Sequence, residues 1–193
     1  MDTRTQILQH IFEAIKLHGF QGLRTDKVIT ELGVTKGAFY HYFPDKQSVG
    51  YAVTDEIIAP MYIGNWQQLL TGNTSVLNNI FTAINRHTGY VTLENVHLGC
   101  PLNNLIQEMS PLDEGFRLRL HSIVDRERAL LETAIQFSVD AGELKSTVNP
   151  ESLALFILSA IEGCFSISKS LQRKSAFDDG VEHLKAYLLS LKN

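Results

Sequence analysis

The chain has 193 residues, enough for one ordinary domain or a small one joined to a larger one, and too few for a multidomain machine. Lys and Arg number 17 against 21 Asp and Glu, a formal charge of −4, so no bulk basicity announces a nucleic-acid binder and any such role must be local. With 44% hydrophobic and 20% charged residues the composition is globular and excludes a disordered chain. Two cysteines, Cys100 and Cys164, are too few for a disulfide scaffold and lack zinc-site spacing; a reducing cytoplasm and no metal or cofactor are expected. The start MDTRTQILQHIF reads as neither signal nor transit peptide. The longest apolar stretch, 153–167, is interrupted by Ser159, Glu162 and Ser166 and is read as short of a membrane span, so no membrane partner is expected.

In chain order, Ile7, Leu8, Ile11, Phe12 and Ile15 share one helical face, with Thr3 and Gln6 offering a capping box. Gly19 and Gly22 end that helix around Phe20; Thr25 can cap a second one carrying Val28, Ile29 and Leu32, stopped by Gly33. Thr35 caps a third, which buries Phe39 and Phe43 before Pro44 and Asp45. The stretch 46–70 reads as one helix kinked or split by Pro60. Another helix begins at Asn73-Thr74 and ends near His87, and 88–99 reads as a loop or frayed helix. A short helix covers 101–109, and a long one opens at Asp113 and closes at Gly142. Asn149 with Pro150 at the first position starts a helix to about 171, and Ser175 with Asp178 caps the last, to about 191. No useful period-2 run exists, so the fold is all-α: a three-helix N-terminal domain over 1–47 and a larger helical domain over 48–193.

Residues 25–43 place two short amphipathic helices around Gly33-Val34, a helix-turn-helix arrangement. Residues of the second helix not needed for packing point outward together: Thr35, Lys36, Gly37, Ala38, Tyr40, His41 and Tyr42. Thr25 and Thr35 stand at helix ends, where free N–H groups favour phosphate, and Lys46 follows at the next helix start. The first 50 residues hold six Lys and Arg against five Asp and Glu, and the remainder eleven against sixteen, so the acidity belongs to the larger domain.

The run GVTKGAFYHYFPDK, preceded by Gly19-Phe20 and followed by a long helix, resembles the DNA-binding domain of the TetR family of bacterial transcriptional repressors, over about residues 4–52. The resemblance implies that Thr25, Thr35, Lys36, Tyr40, Tyr42 and Lys46 touch operator DNA. Tyr40 and Lys46 would meet phosphates, Lys36 and Ala38 would face base edges, and Gly37 would permit close approach. Arg24, Ile29 and Leu32 depart from the smaller residues common at those points. It further implies a ligand-binding and dimerising remainder. Trp66, Tyr90, His97, Cys100, Asn103, Asn104, Gln107, Phe116, His121 and Phe137 mix polar and aromatic groups as a small-molecule pocket requires. Leu155, Leu158, Ser159, Glu162, Gly163 and Ser166, then Val181, Leu184, Leu188 and Leu191, form stripes suited to a homodimer or to internal packing.

Cys100 lies at a predicted helix start, where free N–H groups favour thiolate. The pattern Gly99-Cys100 to Asn104, with Glu162-Gly163 and Lys169, resembles a branch of the family that includes electrophile- and oxidant-responsive repressors, which implies a sensor role for Cys100 with Lys169. The alternative for Cys100 is a buried core residue, and Cys164 reads as core. The function expected is a repressor released from its operator by a small molecule or by thiol modification, and not an enzyme. Two other classes stay open: a small helical enzyme with Cys100 as nucleophile and His97 or His121 as base, and a sensorless DNA-associated protein.

Overall fold

A computed structural model describes residues 2–70 and 75–193, with the side chains of His87 and Thr88 set aside. The described residues are helical apart from turns, loops and one isolated antiparallel bridge, Leu144–Lys192. The chain divides into two compact units, 1–61 with 101–123 and 62–100 with 124–193. The boundary expected after residue 47 therefore differs from the packing, because residues 101–123 supply core to the N-terminal helices.

In the first unit, α1 (Thr3–His18), α2 (Thr25–Leu32) and α3 (Lys36–Tyr42) pack on one another. α1 turns Ile7, Leu8, Ile11, Phe12 and Ile15 inward, as its period requires. Its N-cap is Asp2, which accepts from Thr5 N at 2.8 Å, one residue before the expected Thr3; a carboxylate caps as well as a hydroxyl and also complements the helix dipole. Thr25 is the first helical residue of α2, whose N-cap is Arg24 with no side-chain cap bond, so the expected threonine cap is corrected. Gly33 ends α2 at φ +66, the left-handed turn value that glycine adopts without a Cβ penalty. Thr35 caps α3 by accepting from Ala38 N at 3.1 Å.

α4 (Lys46–Val53) starts with an Asp45–Ser48 capping box and runs through a π turn at 54–58 into α5 (Ala59–Gln67). The π turn precedes Pro60, which lacks an N–H, and helical structure runs from α4 to α5 without the split that Pro60 could have caused. α7 (Pro101–Met109) and the first turns of α8 (Glu114–Asp140) complete this unit. Phe116, fully buried, sets its ring edge against Phe20 at 4.6 Å and Tyr51 at 4.9 Å. Asp113 caps α8 by accepting from Phe116 N at 2.9 Å, and the Tyr51 hydroxyl donates to the same carboxylate at 2.7 Å.

In the second unit, α6 (Val76–Gly89) is followed by a loop with a short 3-10 turn, Val96–Leu98. The expected start of α6 at Asn73-Thr74 lies outside the described residues. α9 (Pro150–Leu171) begins as expected, Asn149 accepting from Ser152 N at 2.9 Å with Pro150 at the first position. α10 (Lys174–Ser190) is capped by Arg173 without a side-chain bond; Ser175 and Asp178 lie inside the helix, where Asp178 pairs with Lys174. α10 packs on α9 and α6, with Phe177, Val181, Leu184 and Leu188 buried and the Phe165 and Phe177 rings 4.7 Å apart. By length and composition α9 is apolar enough to cross a membrane, which corrects the expectation that no stretch reaches that length. Its apolarity serves two faces, one buried on α10 and one carrying exposed Leu155, Phe156, Ile167 and Leu171.

Candidate nucleic-acid interface and sensor cluster

α3 is a seven-residue helix with one inward anchor and an outward remainder. Phe39 is fully buried and tilts against Phe43, while Lys36, Gly37, Tyr40, His41 and Tyr42 are exposed and Thr35 is an exposed cap. Ala38 and Thr25 are half-buried. Tyr40 and Tyr42 keep 47% and 40% of their surface open, which no packing demand within the unit explains. A Cβ built on Gly37 would meet only the Thr35 hydroxyl, at 3.9 Å, so the fold itself has room for a side chain there.

Lys46 is placed otherwise than its expected outward reach. It is half-buried, its Nζ donates to the Gln21 carbonyl at 3.0 Å, and it lies 5.1 Å from the centre of the Phe20 ring. Burial pushes the Lys46 ammonium down from its ordinary value, opposed by the charge of Glu108.

The ten pocket candidates fall in both units. Asn103, Asn104, Gln107, Phe116 and His121 belong to the first unit, and Trp66, Tyr90, His97, Cys100 and Phe137 to the second. Phe116 is corrected to core, its faces occupied by Phe20 and Tyr51. Gln107 and His121 are exposed, as are His97, Tyr90 and Phe137, the last two open at 67% and 59%.

Trp66 and Cys100 do join a buried polar cluster in the second unit. The Trp66 indole Nε1 donates to Glu127 Oε1 at 2.9 Å. Cys100, 1% exposed, donates its thiol proton to Glu162 Oε1 at 3.2 Å and shares a 3.1 Å bond with the Tyr62 hydroxyl. Since the sulfur has one proton, giving it to Glu162 leaves Tyr62 as the donor of that second bond. The other Glu162 oxygen is buried without a hydrogen-bond partner. Burial pushes Glu127 up to about 8, with the Trp66 bond pulling down and the Glu162 charge pushing up; burial likewise pushes Glu162 up to about 7 against the Cys100 bond.

This cluster alters the expected surroundings of Cys100. A carboxyl and a phenol are brought to the thiol. Lys169 is exposed, two helical turns beyond Glu162 on α9. Cys164, read as core, is half-buried: a Cβ on Gly180 would fall 2.5 Å from its sulfur, and burial raises its thiol. Among the described residues no group of three or more His, Cys, Asp or Glu could hold a metal ion.

Sequence reasoning missed Glu108, Tyr62 and Glu127. Glu127 had a readable signal, since it occupies the buried stripe of α8 with Leu120, Ile123, Leu131 and Ala134 at helical spacing. Among the dimer candidates, Val181, Leu184 and Leu188 are buried within the unit, where α10 packs on α9 and α6. Glu162 and Leu158 are half-buried and Glu162 is engaged by Cys100, while Leu191 is half-buried at the end of α10. Leu155, Ser159, Gly163 and Ser166 remain exposed along one side of α9.

The profile described as "Bacterial regulatory proteins, tetR family" matches residues 7–49, and "Tetracyclin repressor-like, C-terminal domain" matches residues 76–184. An uncharacterized HTH-type transcriptional regulator of Lactococcus lactis subsp. lactis is 26% identical over 190 residues, covering 95% of this chain and 92% of that protein. The HTH-type transcriptional repressor DhaR of Mycobacterium sp. (strain GP1) is 24% identical over 182 residues, 91% of this chain and 88% of the other. The crystal structure of the reduced form of NemR from E. coli superposes with a TM-score of 0.85 at 22% identity, covering 96% of each chain.

Proposed function

The chain belongs to the TetR family and is a DNA-binding transcriptional regulator; from that premise we propose how its own residues do the work. A reader within residues 1–47 lays α3 in the major groove, with Lys36 and Ala38 at base edges and Thr25, Thr35, Tyr40, His41, Tyr42 and Lys46 at the backbone or groove wall. The observation that carries this reading is the exposed face of α3, where Tyr40 and Tyr42 stand open beside a Gly37 that no internal contact requires. Phosphate contacts position the protein, and the short base-facing row supplies sequence choice.

One such module buries little DNA, so two copies act together. The exposed side of α9, with Leu155, Ser159, Gly163 and Ser166 flanked by Phe156 and Ile167, suits close helix approach across a two-fold axis. The protein works where the DNA is, in the cytoplasm. A small molecule, or modification of Cys100, releases it from the operator by favouring a different arrangement of the sensor helices. The cluster of Cys100, Glu162, Tyr62, Glu127 and Trp66 supports this reading, since a ligand or adduct there disturbs buried polar bonds that are costly to leave unmade. Lys169, exposed on the same helix as Glu162, is the basic group such a thiol chemistry would draw on.

The test is quantitative binding to the DNA adjoining the protein's own gene, with wild type, Lys36→Ala and Tyr40→Ala. Tyr40→Ala weakens all duplexes alike, whereas Lys36→Ala lowers discrimination between operator and unrelated sequence by about 1–3 kcal/mol. Unchanged affinity and discrimination in both variants would remove α3 from the interface.

A further inference from the structure

Glu108 stands near the end of α7, the helix that starts immediately after Cys100. Its Oε2 accepts from Phe20 N at 2.8 Å and its Oε1 from Gln21 N at 2.7 Å. One carboxylate thus clamps two successive amides in the turn between α1 and α2. Gly19 makes room for it, since a Cβ at that position would lie 2.9 Å from each carboxylate oxygen. The same two residues hold Lys46 from the other side: the Gln21 carbonyl accepts from its Nζ at 3.0 Å and the Phe20 ring lies beneath its charge at 5.1 Å. No ion pair joins Glu108 to Lys46; the two are linked through the Phe20–Gln21 turn that each of them holds. Phe20, Gln21, Glu108 and Lys46 all lie in the first compact unit.

We propose that this arrangement is an autoinhibitory contact: the turn that Glu108 clamps, through the Gln21 carbonyl and the Phe20 ring, competes with the DNA backbone for Lys46, and the clamped turn is the DNA-free state of the reader. The inference rests on the phosphate contact proposed above for Lys46. To reach a phosphate, the ammonium leaves the Phe20 ring, the Gln21 carbonyl and the field of Glu108. Occupancy of DNA and closure of the clamp therefore oppose each other, and by linkage any condition that holds α7 in its clamped position weakens DNA binding by the same factor.

The experiment is a double-mutant cycle of Glu108→Gln and Lys46→Ala, read as affinity and salt slope on a duplex of generic sequence, because phosphate contacts need no operator. Glu108→Gln alone is expected to bind several-fold tighter, with a slope steeper by up to about one unit as a phosphate contact is freed, and to lose both effects in the Lys46→Ala background. Equal or weaker binding by Glu108→Gln, or the same gain without Lys46, overturns the proposal while leaving the DNA reading intact. Lys46→Ala with unchanged affinity and slope overturns the phosphate contact and the proposal with it. A second measurement needs no variant: amide hydrogen exchange at Phe20 and Gln21 in the wild-type protein is expected to speed up when the duplex is added. Unchanged or slower exchange there contradicts the opening of the clamp.

Discussion

The Trp66 indole donates to Glu127 Oε1 at 2.9 Å, joining a fully buried ring to a carboxyl that is 4% exposed. The bond satisfies the indole N–H, and burial holds the acid largely protonated at neutral pH, with its value pushed up to about 8 against an ordinary 4.5. A folded-state value above the unfolded one means that the folded chain binds more protons between about pH 4.5 and 8. The associated stability is fully present below that window and is lost as pH rises through it. Thermal unfolding of wild type is therefore expected to occur at lower temperature at pH 8 than at pH 5. Glu127→Gln, neutral throughout and still an acceptor for the indole, is expected to flatten that dependence by on the order of 2–4 kcal/mol. Parallel curves for the two proteins would show that Glu127 is ionised in the fold.

Gly37 separates stability from binding. Replacing it with alanine adds a Cβ that meets nothing closer than 3.9 Å and removes a flexible residue from a helix. Gly37→Ala is expected to unfold at the same or a higher temperature, by up to about 1 kcal/mol, while operator affinity falls at least several-fold. A variant that binds as wild type would place α3 farther from the groove than proposed.

Phe116 tests the first unit's core. Phe116→Ala removes a ring that is fully buried between Phe20 and Tyr51, and a loss of about 3–5 kcal/mol is expected in denaturant unfolding. A loss below about 1 kcal/mol would mean that residues 101–123 are not integral to the reader's packing.

The thiols give a paired comparison. N-ethylmaleimide is expected to release wild type and Cys164→Ser from DNA and to leave Cys100→Ser bound, because Cys100 alone joins the Tyr62, Glu162 cluster. Release of Cys100→Ser at the wild-type rate would end the sensor role of that residue.

How much of this was legible beforehand follows the range of each interaction. Helix spans came through because their signals are local: the stripe Ile7 to Ile15, Gly33 at its left-handed turn, Asn149-Pro150 at a cap. The tyrosines of α3 could be read outward because a seven-residue helix with one buried phenylalanine has few other directions. Of the groups at Cys100, Glu162 came into view only through the family pattern and not through local sequence, since it lies 62 residues away, and Tyr62, 38 residues away, was not legible at all. The α10 stripe of Val181, Leu184 and Leu188 shows the limit of amphipathicity: it says that a face is buried, and only packing says that α10 is covered from within the chain, by α9 and α6. Lys46 shows the same for charge, because a lysine at a helix start looks free until the Gln21 carbonyl and Phe20 ring are seen beneath it.

The most direct measurement is a footprint of the purified protein on the DNA adjoining its own gene. Two protected half-sites related by two-fold symmetry, with centres one helical turn or a small multiple apart, are expected, each lost together in Tyr40→Ala. A single unsymmetrical protected patch, or symmetrical protection that survives Tyr40→Ala and Gly37→Ala unchanged, would contradict a dimer reading DNA through α3.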